Sequence, residues 1–129
     1  MASRRVTTDS APAAVGPYSQ GVLSGQLLLV SGQLPIDVTT GQLSHDISLA
    51  TRTCLYNVSA IVESAGARLQ DVIQTTVFLE DMNDFQSMNC EYATFFGDLD
   101  TPPSRVCIQV AALPKGACIM ISAMARTTA

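Results

Sequence analysis

Lysine is almost missing from this chain of 129 residues. Lys115 stands alone beside six arginines, against eleven acidic residues, for a net charge of −4. A surface that neutralises nucleic-acid phosphates needs a basic cluster, and none is present. Tryptophan is absent and aromatics make up only 5 %, so the stacking platforms of single-strand nucleic-acid binders are not expected either. His45 is the only histidine, which excludes multi-histidine metal sites. A Cys–His dyad would require His45 to meet a cysteine in space, but its flanks, Ser44 and Asp46, read as the start of a helix.

Cys54, Cys90, Cys107 and Cys118 form no CxxC pair and have no histidines at metal-ligand spacing, so neither a disulfide scaffold nor a metal or other cofactor is expected. The longest unbroken apolar run, Ala117 to Ile121, is far too short to span a bilayer. The N-terminal MASRRVTTDS lacks a hydrophobic signal core, and Ser3-Arg4-Arg5 is the only trace of a transit peptide. A cytoplasmic location is the default expectation, with the mitochondrion as the alternative.

What is abundant is apolar character: 47 % of residues, with a mean hydropathy of +0.27. That is greasy for a small chain and implies apolar surface that meets a partner. The length fits one domain, residues 1–129, able to bury roughly two thirds of its unfolded surface.

The chain opens with a candidate edge strand around Arg4 to Thr7, followed by an irregular Pro- and Gly-rich segment from Ala11 to Gly21. Val22-Leu23 and Gln26 to Val30 read as a hairpin around Ser24-Gly25. Ser31-Gly32 ends its second strand, and the glycine marks either a close approach of the backbone to a ligand or another chain, or a bulge. A loop from Gln33 to His45, with a turn at Thr39-Thr40-Gly41, leads to a helix from Asp46 (N-cap) to Ala65, stopped by Gly66. Cys54, Leu55, Val58, Ile61, Val62 and Ala65 form its core stripe. Asp71 to Leu79 is a β-branched strand. A second helix is expected from Asn83 as cap, with Gln86 at N3, to Gly97, burying Phe85, Met88, Tyr92, Phe95 and Phe96. Asn89 lies at the margin of that stripe.

The stretch Thr101 to Met124 reads as two strands, Ser104–Val110 and Cys118–Met124, joined as a hairpin by Leu113-Pro114-Lys115-Gly116. Arg105, Cys107 and Gln109 share one face of the first. An arginine on a strand face snorkels to water, pairs with an internal acid, or waits for an anionic ligand such as a small carboxylate. Among the cysteines Cys107 beside it is the first candidate for a reactive thiol, since a guanidinium lowers thiol pKa, but an inert small hydrophobe is the favoured reading. The order of elements implies an α+β fold: a mixed sheet with two helices on one face, the other face bare and available for self-association.

Ala11-Pro12-Ala13-Ala14-Val15-Gly16-Pro17-Tyr18-Ser19-Gln20-Gly21, Val30-Ser31-Gly32-Gln33-Leu34-Pro35, Thr75-Thr76-Val77-Phe78-Leu79 with Asn83-Asp84-Phe85, and Pro103-Ser104-Arg105 through Gly116 together resemble the RidA/YjgF family. This family is also called L-PSP or, by an older label, translation-inhibitor endoribonuclease. The resemblance covers essentially the whole chain. It implies a chorismate-mutase-like fold, a homotrimer, and ligand clefts between subunits. It also implies hydrolysis of 2-imino acids or enamines, products of pyridoxal-phosphate enzymes, to 2-keto acids and ammonia. Carried over by position, Arg105 grips the substrate carboxylate and the Cys107 backbone helps hold the attacking water. Tyr18, Ser31, Gly32 and Asn89 line the cleft.

The deaminating members carry Ile-Glu-Ile-Glu-Ala on the last strand, with a glutamate that orients water. Here the stretch reads Ile119-Met120-Ile121-Ser122-Ala123, which puts Ser122 at the glutamate position. A serine is a poor base at neutral pH. Three functions therefore remain: an imine/enamine hydrolase, a trimeric metabolite-binding or regulatory protein without fast turnover, and an endoribonuclease or translation inhibitor, which the acidic composition argues against.

Overall fold

The computed structural model describes residues 2–127; Met1, Thr128 and Ala129 lie outside the described residues. In chain order the elements are strands Arg4–Val6 (β1), Gly21–Ser24 (β2) and Leu27–Gln33 (β3), helix Ile47–Ser64 (α1), strand Val72–Leu79 (β4), helix Phe85–Phe96 (α2), and strands Ser104–Gln109 (β5) and Ile119–Arg126 (β6). The strands form a single six-stranded sheet in the order β1-β2-β3-β6-β4-β5, antiparallel throughout except for the parallel β4–β5 pair.

A period of two sorts side chains between the sheet's faces. Leu28, Val30, Val77, Leu79, Ile119 and Ile121 are buried beneath α1 and α2. Their neighbours Leu27, Leu29, Ile73, Val106 and Ile108 lie 38–45 % exposed on the other face. Burying a Leu, Ile or Val side chain fully is worth about 1.5–3 kcal/mol, so the helix-covered face holds the fold together.

The helix over Ile47–Ser64 starts where expected: Asp46 Oδ2 accepts from the Leu49 N–H at 2.9 Å. It ends in a Schellman motif, with the Ala67 N–H on the Val62 carbonyl at 3.1 Å, the Gly66 N–H on the Glu63 carbonyl at 3.0 Å, and Gly66 at φ +86°. The second helix differs from expectation. Asp81, not Asn83, caps a short 3-10 turn over Met82–Asp84 by accepting from the Asn83 N–H at 2.9 Å, and the α-helix proper begins at Phe85. An aspartate two residues upstream offers a charged acceptor to the first free N–H groups, which outcompetes an amide within the turn.

The expected hairpin between the last two strands is not formed. β4 lies between β5 and β6, pairing parallel with the former and antiparallel with the latter. Just beyond β4, the Glu80 N–H bonds the Cys118 carbonyl at 3.1 Å, while the Val110 N–H bonds the Leu79 carbonyl at 2.8 Å. Alternating buried residues in β6 suit a central strand, whereas β5 has no fully buried residue and forms the sheet edge. The Pro-Lys-Gly segment is a 3-10 turn within a wider crossing, with Lys115 at φ 59°.

The pairing of β3 with β6 slips by one residue between Val30 and Gln33. Ser31-Gly32 is therefore a β-bulge, which resolves the two readings of that glycine. We expect Gly66→Ala to destabilise the protein by about 1–2 kcal/mol, because alanine resists the left-handed conformation. Urea denaturation measures this, and an unchanged midpoint would show that the αL cap contributes nothing.

Candidate active site

Arg105 projects from β5 on the helix-covered side and meets α2. One guanidinium nitrogen, Nη1, donates to Asn89 Oδ1 at 2.7 Å. The guanidinium carbon lies 4.7 Å from the Tyr92 ring centroid and 5.5 Å from that of Phe85. Neither ion pair among the described residues, Arg52–Glu91 and Arg68–Asp71, involves it. The charge is thus held by cation–π contacts and a neutral amide, with no carboxylate to neutralise it. Beside it opens a recess of ≈ 400 Å³ bounded by Asn89, Tyr92, Phe96, Pro102 and Pro103.

Tyr92 is the residue that sequence reasoning placed only as core. Its hydroxyl shares a 2.7 Å buried hydrogen bond with Thr75 Oγ1, and Thr75 pairs in the ladder with Arg105 itself. Burial pushes the phenol pKa up, outweighing the opposing pull of the Thr75 hydrogen bond and the Arg105 charge, so the ring stays a neutral platform.

Cys107, on the same face as Arg105, follows the inert reading of its thiol rather than the reactive one. Burial raises its pKa, and the nearby guanidinium lowers it less than burial raises it. The half-buried thiol is therefore a poor thiolate source at neutral pH. His45 is exposed at the start of α1 and forms no hydrogen bond with a cysteine among the described residues, so no Cys–His dyad is assembled.

Tyr18, Ser31 and Gly32 come together elsewhere, in a cavity of ≈ 680 Å³ at the β3 bulge that also includes Leu34, Ile36 and Met120. Ser31 Oγ donates to the Ser19 carbonyl at 2.6 Å, fastening the bulge to the irregular segment that carries Tyr18. A Cβ at Gly32 would stand 2.8 Å from Met120 Sδ, so glycine lets that thioether lie directly against the backbone where a larger residue would make it shift. Tyr18 is half exposed at the rim.

Ser122 does not join this group. It pairs with Thr76 on the open sheet face and lines a separate shallow hollow with Leu29, Gln74 and Met124. Met120, two residues earlier on the same face, is the last-strand side chain that reaches Tyr18, Ser31 and Gly32. The alternation of β6 already placed Met120 and Ser122 on one face; Ser122 lies opposite the bulge in the ladder, between the Val30–Ala123 and Gln33–Ile121 pairs, yet it is the Met120 thioether that sits against Gly32. Within one chain, then, Arg105, Asn89 and Cys107 lie at the β5 edge as one candidate half-site. Tyr18, Ser31, Gly32 and Met120 form another at the β3 bulge.

A mixed sheet with both helices on one face, an arginine without an acid partner at its edge and a cavity at its bulge defines an α+β protein suited to a small anionic ligand. Comparison with known proteins agrees. A family model described as Endoribonuclease L-PSP matches residues 8–127. A Salmonella typhimurium protein named 2-iminobutanoate/2-iminopropanoate deaminase is 47 % identical over 124 residues, covering 95 % of this chain and 97 % of that one. Among solved structures, E. coli TdcF with bound serine superposes with a TM-score of 0.93 at 42 % identity, covering 97 % of this chain and 99 % of that chain. The E. coli YjgF gene product gives a TM-score of 0.92 at 44 % identity, covering 95 % and 98 %. The chain belongs to the Endoribonuclease L-PSP family, the group also known as RidA/YjgF.

Burial raises the thiol pKa of Cys54, Cys107 and Cys118 alike. The folded state thus holds these protons more tightly than the unfolded chain. Their contribution to stability is complete below the unfolded thiol pKa of about 8.5 and is lost as pH rises through the higher folded values. Thermal melts from about pH 7 to about pH 10 should show Tm falling above about 8.5, with a smaller loss in Cys54→Ala. An equal alkaline loss in both proteins would remove Cys54 as a cause.

Proposed function

We propose that this protein hydrolyses 2-imino acids and their enamine tautomers to 2-keto acids and ammonia in clefts between the protomers of a homotrimer. The observation that carries this is Arg105, a cation on an aromatic platform whose only side-chain hydrogen bond among the described residues goes to a neutral amide. A site of that kind accepts a carboxylate without first breaking an internal ion pair. The deaminase name of the Salmonella relative and the serine bound to TdcF support a small amino- or imino-acid-like ligand.

The trimer is supported by two features. The open sheet face carries Leu27, Leu29, Ile73, Val106 and Ile108 in contact with solvent, a surface that self-association would cover. The two half-sites also lie apart within one chain, and a neighbouring protomer is the means of joining them.

In the reaction, water adds to the imine carbon to give a carbinolamine. The C–N bond then breaks, the nitrogen leaves as ammonia with protons from the added water, and the carbonyl forms. Arg105 holds the carboxylate and thereby fixes the position of the adjacent imine carbon. The backbone near Cys107 and the Ser31-Gly32 bulge position the water. An imine is electrophilic already, so positioning supplies much of the acceleration. Neither Met120 nor Ser122 is a base, and the absence of a positioned acid/base group costs about 10²–10⁴-fold in rate. That same absence favours a second reading, a trimeric binding or regulatory protein that retains the acid site without fast turnover. The ribonuclease reading fits the family's older name, yet a net charge of −4 with one lysine offers phosphates no footing.

Imine generated in situ by a serine or threonine dehydratase provides the test. Slow keto-acid release above background is expected from the native chain, with at least about a tenfold loss in kcat/KM for Arg105→Ala, the scale of a charge-assisted hydrogen bond. Met120→Glu should be faster than the native chain, and Ser122→Glu should not. Native protein indistinguishable from buffer would hand the function to the binding-protein reading. Ile108→Glu should convert a trimer to monomers in light scattering and abolish turnover; a monomeric native protein with full activity would refute the shared cleft.

A further inference from the structure

We infer that the cavity at the β3 bulge receives the side chain of the bound acid and selects 2-imino and 2-keto acids with branched or extended apolar side chains over the smallest ones. This assignment rests on the acid-binding reading above and names the substrate class of that site.

The cavity measures ≈ 680 Å³, well beyond what a carboxylate and an imine group fill. Its wall includes Pro12, Val15, Leu34, Ile36, Pro114 and Met120. The polar side chains along that wall are turned away into structural hydrogen bonds. Gln20 Nε2 donates to the Ala11 and Pro12 carbonyls at 3.2 and 2.7 Å, and Gln20 Oε1 accepts from the Thr8 N–H at 2.7 Å. Gln33 Nε2 donates to the Ser31 carbonyl at 3.1 Å, and Ser31 Oγ is bound to the Ser19 carbonyl. Tyr18 and Lys115 are exposed at the rim, so what remains inside is mostly hydrocarbon and sulfur.

Met120 matters most. Its thioether sits against Gly32, is flexible and polarizable, and adapts to irregular apolar shapes. A carboxylate at that position would favour water or a polar group there; a thioether favours alkyl carbon. A methyl side chain would leave the space unfilled and forfeit dispersion contacts with the wall. A four-carbon branched chain would gain them, and discrimination of at least about tenfold follows from the extra buried groups.

Calorimetric titration of the native protein with two stable product-like acids, pyruvate and 4-methyl-2-oxopentanoate, tests this without requiring turnover. The branched acid should bind at least about tenfold tighter, with the ratio falling toward one in Met120→Glu, while Arg105→Ala should weaken both acids alike and preserve the ratio. Pyruvate binding as tightly as the branched acid, or no binding of either at about 10 mM, would overturn the assignment. In parallel, an amino-acid oxidase supplies the imines of alanine and leucine. A tenfold binding preference without imine hydrolysis would defeat the proposed reaction and leave this assignment standing. Hydrolysis of both imines at equal kcat/KM, with equal binding of the two keto acids, would defeat this assignment alone.

Discussion

The ring of Tyr92 is clamped between two layers, and the architecture of the arginine half-site depends on that clamp. Its hydroxyl reaches down to Thr75 in the sheet, while its π face lies beneath the guanidinium of Arg105, the ladder partner of Thr75. Helix α2 is thereby tied to the sheet at the place where the positive charge emerges. Asn89, one helical turn before Tyr92, accepts the hydrogen bond that orients the guanidinium. Aromatic faces and amide oxygens stabilise a cation without cancelling its charge, which a carboxylate would do. The charge therefore stays available to an incoming acid.

At the other half-site the controlling constraint is steric. The bulge at Ser31-Gly32 breaks the β3–β6 register, and Met120 packs against Gly32 so closely that a Cβ there would displace its thioether. Ser122 lies opposite the bulge in the ladder, yet Met120, two residues away on the same face, is the β6 side chain that lines the cavity. In this chain that side chain is a methionine, so the lumen is apolar where a carboxylate would have made it acidic. The open sheet face links the two half-sites in the proposed assembly, because its exposed Leu, Ile and Val side chains gain most by being covered.

Local signals carried much of the fold. Asp46 and Gly66 bracket α1 as their chemistry requires, since each satisfies orphan backbone groups within its own helical turn. Extended apolar runs beside turn residues identified the strands at Gln26 to Val30 and Cys118 to Met124, close to the observed Leu27–Gln33 and Ile119–Arg126. The Arg105–Asn89 pairing was foreshadowed by placing both residues at one cleft. The errors were non-local. Ser104–Gln109 and Ile119–Arg126 look like hairpin partners because they are consecutive, yet β4 takes the place between them, being buried on the helix face and able to pair on both edges. Of the two readings of Cys107 the inert one holds: its charged neighbour lowers the thiol pKa less than burial raises it, and the depth of burial is set by the packing of distant segments.

The amino-acid order alone determined the elements, their buried faces, the family, and the residue types able to hold an acid, because caps, periodicity and motifs act over a few residues or persist as recognisable patterns. Only the tertiary structure decided that Met120 rather than Ser122 lines the Tyr18–Gly32 cavity, that Arg105 has no acid partner among the described residues, and that the two candidate half-sites stand apart in one chain. Those outcomes turn on strand order, a single-residue bulge and the packing of α2 against the sheet, each set by contacts between segments distant along the chain.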